Sequence, residues 1–229
     1  MVSWIVNIYS KIKLPSFFGR LNIHSALAMA GVVGPIMLTI GDLTASLSSP
    51  DYSLVRNSIS SLALMPIGWL QTIGFLALGL LVEIFTAGLL FNVKGARGFH
   101  LGIAVLVFFG FGMLLIGAFH TDPVGAARTI EGRIHGFTAT TSFSLFPVAI
   151  LFLASSLKKD PGWKNLFIYS AVTFILAVLL GITLRIVQEK CGWFGLVERL
   201  LVANMIIWIE VAAINLMRLS FTRSVKRQE

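Results

Sequence analysis

Six apolar runs of membrane-spanning length constrain this chain more than any other feature of its sequence. They fall at about 25–47, 69–91, 98–119, 135–157, 166–187 and 197–219. Each is close to the roughly 20 residues that a helix needs to cross about 30 Å of hydrocarbon. The runs do not alternate in polarity, which excludes a β-barrel, and lipid cannot satisfy free backbone amides. The sequence therefore predicts an all-α, polytopic membrane protein built as a six-transmembrane-helix bundle.

The composition agrees with a membrane protein and excludes several other classes. Only 12% of the residues are charged, whereas soluble domains carry roughly 25%. The net charge of +8 comes from basic residues scattered among loops and the tail, so we expect no nucleic acid as a partner. Cys191 is the only cysteine, which excludes an internal disulfide and a cysteine-based zinc site. The partner that the composition indicates is the lipid bilayer.

The basic residues also predict the orientation and the division of the chain. Of the 18 lysines and arginines, 12 flank one side of the predicted bundle and six flank the other. Because the richer side normally stays inside, both termini are expected in the cytoplasm. We expect a cytoplasmic or interfacial segment at 1–24, a transmembrane domain at 25–219 and a basic cytoplasmic tail at 220–229. The expected location is the plasma (inner) membrane of a prokaryote.

Small residues and prolines within the runs predict how the helices pack. Gly79 lies in the second run and Gly110 in the third. Small residues at such positions let helices approach closely. Pro35 and Pro147 predict kinks in the first and fourth spans.

The polar stretch at 117–135, between the third and fourth runs, is where we expect any polar chemistry. It contains Asp122 and His135, and Asp42 ends the first span on the same side. These three residues form the predicted catalytic or polar centre. Asp122 and His135 could also hold a divalent metal, since carboxylate and imidazole are ordinary zinc ligands. The alternative is that Asp122 caps a helix or turn and that His135 is hydrogen-bonded at the interface.

A polar stripe descends from this stretch into the fourth span. His135, Thr138 and Ser142 share one face of a helix at the 3.6-residue period. A stripe of this kind is unfavourable against lipid, so we predict that it lines the bundle interior and contacts a ligand. The alternative is that its hydroxyl groups hydrogen-bond between helices.

Two arginines and a loop complete the expected ligand-binding set. Arg185 ends the fifth span and Arg199 opens the sixth, and a guanidinium group suits a phosphate or carboxylate. Arg185 could instead pair with Glu189, four residues later. Tyr52 and Ser60 lie in the loop at 48–68, on the same side of the membrane.

Two further hypotheses concern residues within or beside the spans. Glu83 and Glu210 lie at similar predicted depths, which favours either a proton path or two structural, hydrogen-bonded acids. Haem bound by pairs of histidines is disfavoured, because all four histidines lie at the ends of spans, where solvated histidines also occur. They are His24, His100, His120 and His135.

Several short motifs resemble those of a family of uncharacterised bacterial and archaeal membrane proteins, domain of unknown function 998. They are Asp42; Pro50-Asp51-Tyr52 followed by Ser58-Ile59-Ser60-Ser61-Leu62; Gly117-x-Phe119-x-x-Asp122; and Gly132-x-x-His135. The resemblance covers most of the chain and implies the same six-span layout. The chain departs from the family at His120, where proline is frequent, and at Ser61, where glutamate is frequent. The family implies no established activity.

The leading functional hypothesis is an outward-facing polar pocket that binds or processes a lipid or small amphiphile at the outer leaflet. The first alternative is a membrane hydrolase in which a metal or a carboxylate activates water and His135 is a ligand or general base. The others are a non-catalytic subunit of a homo- or hetero-oligomer and a proton-coupled transporter. The sequence leaves open whether the protein is an enzyme.

Overall fold

The computed structural model describes residues 22–187 and 192–225, and within these ranges every regular element is a helix. The segment predicted at 1–24 lies almost wholly outside the described residues. All six α-helices are long and apolar enough to cross a membrane, which confirms the predicted all-α, six-span fold. They are α1 Ile23–Leu47, α2 Trp69–Asn92, α3 Phe99–Ala118, α4 Ile130–Lys159, α5 Leu166–Ile186 and α6 Phe194–Val225, with a 3-10 helix at Ile59–Leu64.

Two helices extend beyond the spans that hydropathy predicts. The fourth span was predicted to start at 135, but α4 begins at Ile130 because Thr129 caps it and accepts a hydrogen bond from the backbone N–H of Gly132. This first turn carries charged residues, which a hydropathy criterion excludes and a capped helix end tolerates. α6 continues to Val225, so the predicted boundary between bundle and tail at 219 falls inside a helix.

The six helices form a ring in chain order, in which each packs against the next and α6 returns to α1. Short connections make consecutive helices antiparallel. We call the end at which α1, α3 and α5 finish the distal end, and the opposite end the proximal end. Three buried aromatic residues fill the centre: the ring centroids of Phe109 and Phe146 are 4.9 Å apart, and those of Phe146 and Trp208 are 5.8 Å apart.

α2 and α3 pack closely at a pair of glycines. A Cβ atom at Gly79 would lie 2.7 Å from the backbone nitrogen of Leu114 and 2.8 Å from the carbonyl oxygen of Gly110. These are backbone atoms, which cannot rotate away. The expectation that small residues allow close helix packing is confirmed at this contact.

α5 is the least buried helix, and its proximal half holds it in place. Its buried residues are Leu166, Ser170, Thr173 and Ala177. Trp208 Nε1 of α6 donates to Ser170 Oγ at 2.9 Å, and Asn204 Nδ2 donates to the carbonyl of Thr173 at 3.0 Å. No described α5 residue beyond Ala177 is buried. Leu180 and Leu184 are partly buried against the core, so the distal half of α5 packs less closely than the proximal half.

The two kinds of glycine environment predict opposite effects of the same substitution. Gly79→Ala should lower stability by about 1–3 kcal/mol, since overpacking against a fixed backbone costs about this much. Gly181→Ala should leave stability unchanged or raise it, because a Cβ there meets nothing within 4 Å and alanine favours the helix. Thermal unfolding of both variants in one detergent checks this, and equal melting temperatures for the two would contradict it.

Candidate functional site

Arg199 forms the most highly connected polar cluster at the distal end. Its guanidinium group faces Asp42 of α1 through two hydrogen bonds, Nη2 to Oδ1 at 2.9 Å and Nε to Oδ2 at 3.3 Å. Nη2 also donates to the hydroxyl of Tyr52. Both charged side chains are largely shielded, with 16% and 15% exposure. The pair joins the last helix to the first, where the ring of helices closes.

The same guanidinium group fixes the backbone that follows α1. Nη1 donates to the carbonyl oxygens of Leu54 at 2.9 Å and Asn57 at 3.1 Å. Burial raises the pKa of Tyr52 to about 12, despite the opposing effect of Arg199. The hydroxyl is therefore neutral, and it donates to the carbonyl of Ser58 at 2.7 Å. Arg199 was predicted to contact an anionic ligand. In the structure all three of its side-chain nitrogens bind groups of the protein itself.

The start of α6 holds the backbone that leads into the 3-10 helix. Glu198 Oε2 accepts a hydrogen bond from the N–H of Ile59 at 2.6 Å, and the N–H of Leu196 donates to the carbonyl of Val55 at 3.0 Å. A Cβ atom at Gly195 would overlap the carbonyl of Asn57. Glycine is therefore required at 195 for the chain segments to approach.

A cavity of about 510 Å³ lies beside this cluster, between α4, α5 and the start of α6. One part of its lining is polar. Its polar residues are Ser58, Ser60, Thr121, His135, Thr140, Ser144, Arg185 and Glu198. The apolar walls include Phe143, Pro147, Ala177, Val178 and Leu201. The cavity occupies the region where the distal half of α5 is less closely packed than the proximal half.

The exposed residues of the lining lie on the two helices that face each other across the opening. They are Gly136, Thr140 and Ser144 on α4 and Val178, Ile182 and Arg185 on α5. The lining residues from α6 and the 3-10 segment are more buried, among them Ser60, Glu198 and Leu201. The cavity therefore opens sideways between α4 and α5, within the membrane-spanning part of the bundle.

His135 is the buried histidine of the cavity, with 5% exposure. Its Nδ1 lies 2.7 Å from the carbonyl oxygen of Phe119, at the end of α3. A carbonyl oxygen only accepts hydrogen bonds, so Nδ1 carries the hydrogen in this contact. This bond fixes the orientation of the ring.

Arg185 is the cation at the cavity opening. Its Nη2 donates to Ser144 Oγ at 3.1 Å, and Ser144 donates onward to the carbonyl of Thr140 at 2.8 Å. Helical side chains lean toward the N-terminus of their helix, which directs Arg185 back along α5 toward the cavity. Ser144 is its hydrogen-bond partner within the two described ranges; Glu189, the alternative partner, lies outside them. Within those ranges, the guanidinium group thus has donors left for a ligand.

Asp122 has a capping position at the start of α4. Its carboxylate accepts from the N–H of Thr129 at 3.0 Å and from Thr129 Oγ1 at 2.7 Å. The structure thus places Asp42, Asp122 and His135 on different partners: Arg199, Thr129 and the Phe119 carbonyl. Over residues 22–187 and 192–225, no group of three His, Cys, Asp or Glu side chains is placed to hold a metal ion.

The polar stripe of α4 faces two different neighbours. Thr138 and Ser142 are buried, with 8% and 2% exposure, which confirms that the stripe points into the bundle. Both pack against Gly112 of α3, where a Cβ atom would collide with Ser142. Only His135 of the stripe reaches the cavity, and Thr138 and Ser142 contact α3 instead of a ligand.

The two acids inside the bundle have different surroundings. Glu83 lies against Gly110 of α3, and its Oε1 is buried. Glu210 lines a smaller cavity of about 360 Å³ with Thr39 and other residues of α1 and α6. The proton path through both acids remains a hypothesis.

Three histidines have hydrogen-bond partners that are not histidines. His24 Nδ1 lies 2.9 Å from Asn92 Nδ2, and His120 Nδ1 lies 3.0 Å from Glu131 Oε1. His135 contacts the Phe119 carbonyl, and His100 packs edge-on against the Phe99 ring. These contacts do not bring two histidines to one haem iron.

The sequence analysis missed the stripe of α4 that borders the opening. Gly136, Thr140 and Ser144 recur every fourth residue and share one helical face. On α5, Gly181 and Arg185 repeat the same spacing. Two polar or small stripes on consecutive spans are the signal that would have located the opening.

The comparisons with known proteins agree with this architecture. A family model described as protein of unknown function DUF998 matches residues 32–215. The chain belongs to this family. The matched part of this DUF998 member runs from α1 into α6 and includes the Arg199 cluster and the whole cavity lining. No curated protein and no solved structure matches the chain.

The Arg199 cluster predicts a large loss of stability when its cation is removed. Arg199→Gln leaves Asp42 shielded without its charge partner and should destabilise the protein by about 3 kcal/mol. Arg199→Lys should recover little of the lost stability, since an ammonium group cannot reproduce the bidentate contact with the Asp42 carboxylate. Thermal unfolding measures both effects. Arg185→Gln is the control and should leave the melting temperature unchanged. An equal fall in the melting temperatures of Arg185→Gln and Arg199→Gln would contradict a special structural role for Arg199.

Proposed function

We propose that this membrane protein binds one lipid or small amphiphile in the cavity between α4, α5 and α6. The observation that carries the proposal is the combination of a sideways opening with a lining that is polar in one part and apolar in another. A ligand that enters from the bilayer carries both kinds of surface. The volume of about 510 Å³ falls within the usual range of ligand pockets, about 300–1,000 Å³.

Arg185 is the proposed contact for an anionic group such as a phosphate or carboxylate. It lies at the opening, it is exposed, and Ser144 takes up one of its donors. Arg199 is less suited, because Asp42, Tyr52 and backbone carbonyls surround its guanidinium group. Arg199 and Tyr52 would instead support the wall that holds Ser60 in the lining.

The expected orientation places this site in the outer leaflet. The chain at the distal ends of the spans carries fewer basic residues than that at the proximal ends, six against 12 of the 18 lysines and arginines. The positive-inside rule then directs the distal end outward. The ligand would accordingly be drawn from the extracytoplasmic half of the membrane.

Binding is better supported than hydrolysis by the partners of the candidate acids. A carboxylate that activates water needs an accessible lone pair near the substrate. Asp42 is engaged by Arg199, and Asp122 is engaged by Thr129. The lining of the cavity includes neither of these carboxylates. Glu198 does line it, and its Oε2 already accepts the N–H of Ile59.

Gly181 offers a direct test of the cavity as the binding site. A Cβ atom there meets nothing within 4 Å, so Gly181→Phe should fill the opening without disturbing the bundle. We expect it to weaken binding of a fluorescent short-chain phosphatidic acid by at least about tenfold, or about 1.4 kcal/mol. Fluorescence titration in detergent measures the dissociation constant.

Gly181→Ala is the matched control and should bind as the unmodified protein does. The melting temperature of Gly181→Phe should also stay within the range of this control. Unchanged binding by a folded Gly181→Phe variant would refute the cavity as the site.

Arg185→Gln tests the anion contact. Removing the guanidinium group should weaken binding of phosphatidic acid about tenfold, as expected for a charge-assisted hydrogen bond. Binding of uncharged diacylglycerol should not change. Arg128→Gln, an exposed arginine at the same end that is not part of the lining, is the control for a general loss of charge. Equal effects of the two substitutions would reject a specific contact at Arg185.

A further inference from the structure

The orientation of His135 determines what its second ring nitrogen, Nε2, offers to the cavity. Nδ1 donates to the Phe119 carbonyl at 2.7 Å, and the side chain is only 5% exposed. In a neutral imidazole, one nitrogen donates and the other accepts. Because Nδ1 carries the hydrogen, Nε2 is the acceptor. His135 therefore brings an acceptor to the lining of the cavity.

Glu198 brings a second acceptor to the same lining. Its Oε2 receives the N–H of Ile59 at 2.6 Å, and a carboxyl oxygen that receives an N–H acts as an acceptor. Ser60, which is also buried, contributes a hydroxyl group. The cation, in contrast, lies on α5, at Arg185. Acceptors on α4 and α6 thus face a donor on α5 across one cavity.

We infer that the preferred ligand is a phospholipid whose anionic phosphate carries a hydroxyl-bearing headgroup, and that His135 selects the hydroxyl. This inference rests on the proposed function. The phosphate would contact Arg185, and the headgroup hydroxyl would donate to His135 Nε2. A hydroxyl is favoured over an ammonium group because burying a charge in a mostly apolar cavity costs more than burying a neutral donor. His135 is then a specificity-determining residue.

The test compares headgroups of equal charge and different hydrogen-bonding capacity. Dissociation constants are measured by competition with the fluorescent phosphatidic acid, using phosphatidylglycerol and phosphatidylmethanol with matched acyl chains. The pH is 8, above the roughly 6.5 at which a free imidazole titrates. Phosphatidylglycerol should bind about tenfold more tightly, since an unpaired buried acceptor penalises the headgroup that lacks hydroxyls.

Substitutions at position 135 should change this ratio and not binding in general. His135→Phe should reduce the ratio to about one while phosphatidylmethanol still binds, because the lost acceptor matters only to the hydroxyl. His135→Gln keeps both an amide donor and an oxygen acceptor and should retain part of the preference. Thr138→Val is the control, since Thr138 is buried on the same helix but faces α3.

The outcomes separate this inference from the proposed function. Equal affinities for the two lipids in the unmodified protein would overturn the inference, as would tighter binding of matched phosphatidylethanolamine. The proposed function would still stand if Gly181→Phe abolished binding of both lipids. If His135→Phe does not fold, the headgroup comparison and His135→Gln still decide the question.

Discussion

The contact between Arg199 and Asp42 is the interaction on which the distal end of the bundle depends. It joins the first and last helices, which are neighbours only because the ring of helices closes. Charged groups that are removed from water require hydrogen-bond partners. Besides Asp42, Arg199 has such partners in the hydroxyl of Tyr52 and the carbonyls of Leu54 and Asn57. The segment between α1 and the 3-10 helix is held in place by these bonds, and Ser58 and Ser60 reach the cavity as a result.

The cavity is a consequence of uneven packing along α5. Hydrogen bonds at Ser170 and Thr173 attach its proximal half to α6. Beyond Ala177 the helix offers glycine at 181 and exposed aliphatic residues, and no described position is buried. An empty apolar cavity in a packed core is destabilising, and the proposed ligand would offset that cost here.

The fold could be predicted from the sequence because the membrane leaves few alternatives. Runs of about 20 apolar residues must be helices, and their number and order follow directly. The start of α4 was less accessible, since the Thr129 cap decides it and hydropathy does not register caps. Pairing between helices was also hidden, because Asp42 and Arg199 lie 157 positions apart and no local pattern relates them.

The candidate site was predicted only in part, for a related reason. His135, Arg185 and Ser60 do line one cavity, but the periodicity that singled out Thr138 and Ser142 could not say which neighbour that face meets. Faces of a helix separated by one residue differ by about 100°. Thr138 and Ala139 therefore point to different neighbours, and only contacts between helices distinguish the face toward α3 from the face toward the cavity.

The uneven burial of α5 has a mechanical consequence. Ala177 is its last buried residue, and about 12 Å of helix separates it from Arg185, at 1.5 Å per residue. The contacts that hold this part are the packing of Leu180 and Leu184 and the hydrogen bond from Arg185 to Ser144. A tilt of about 5° would move the end of the helix by about 1 Å. Only these contacts would have to rearrange for the opening to widen, and the closure between α1 and α6 would keep its shape.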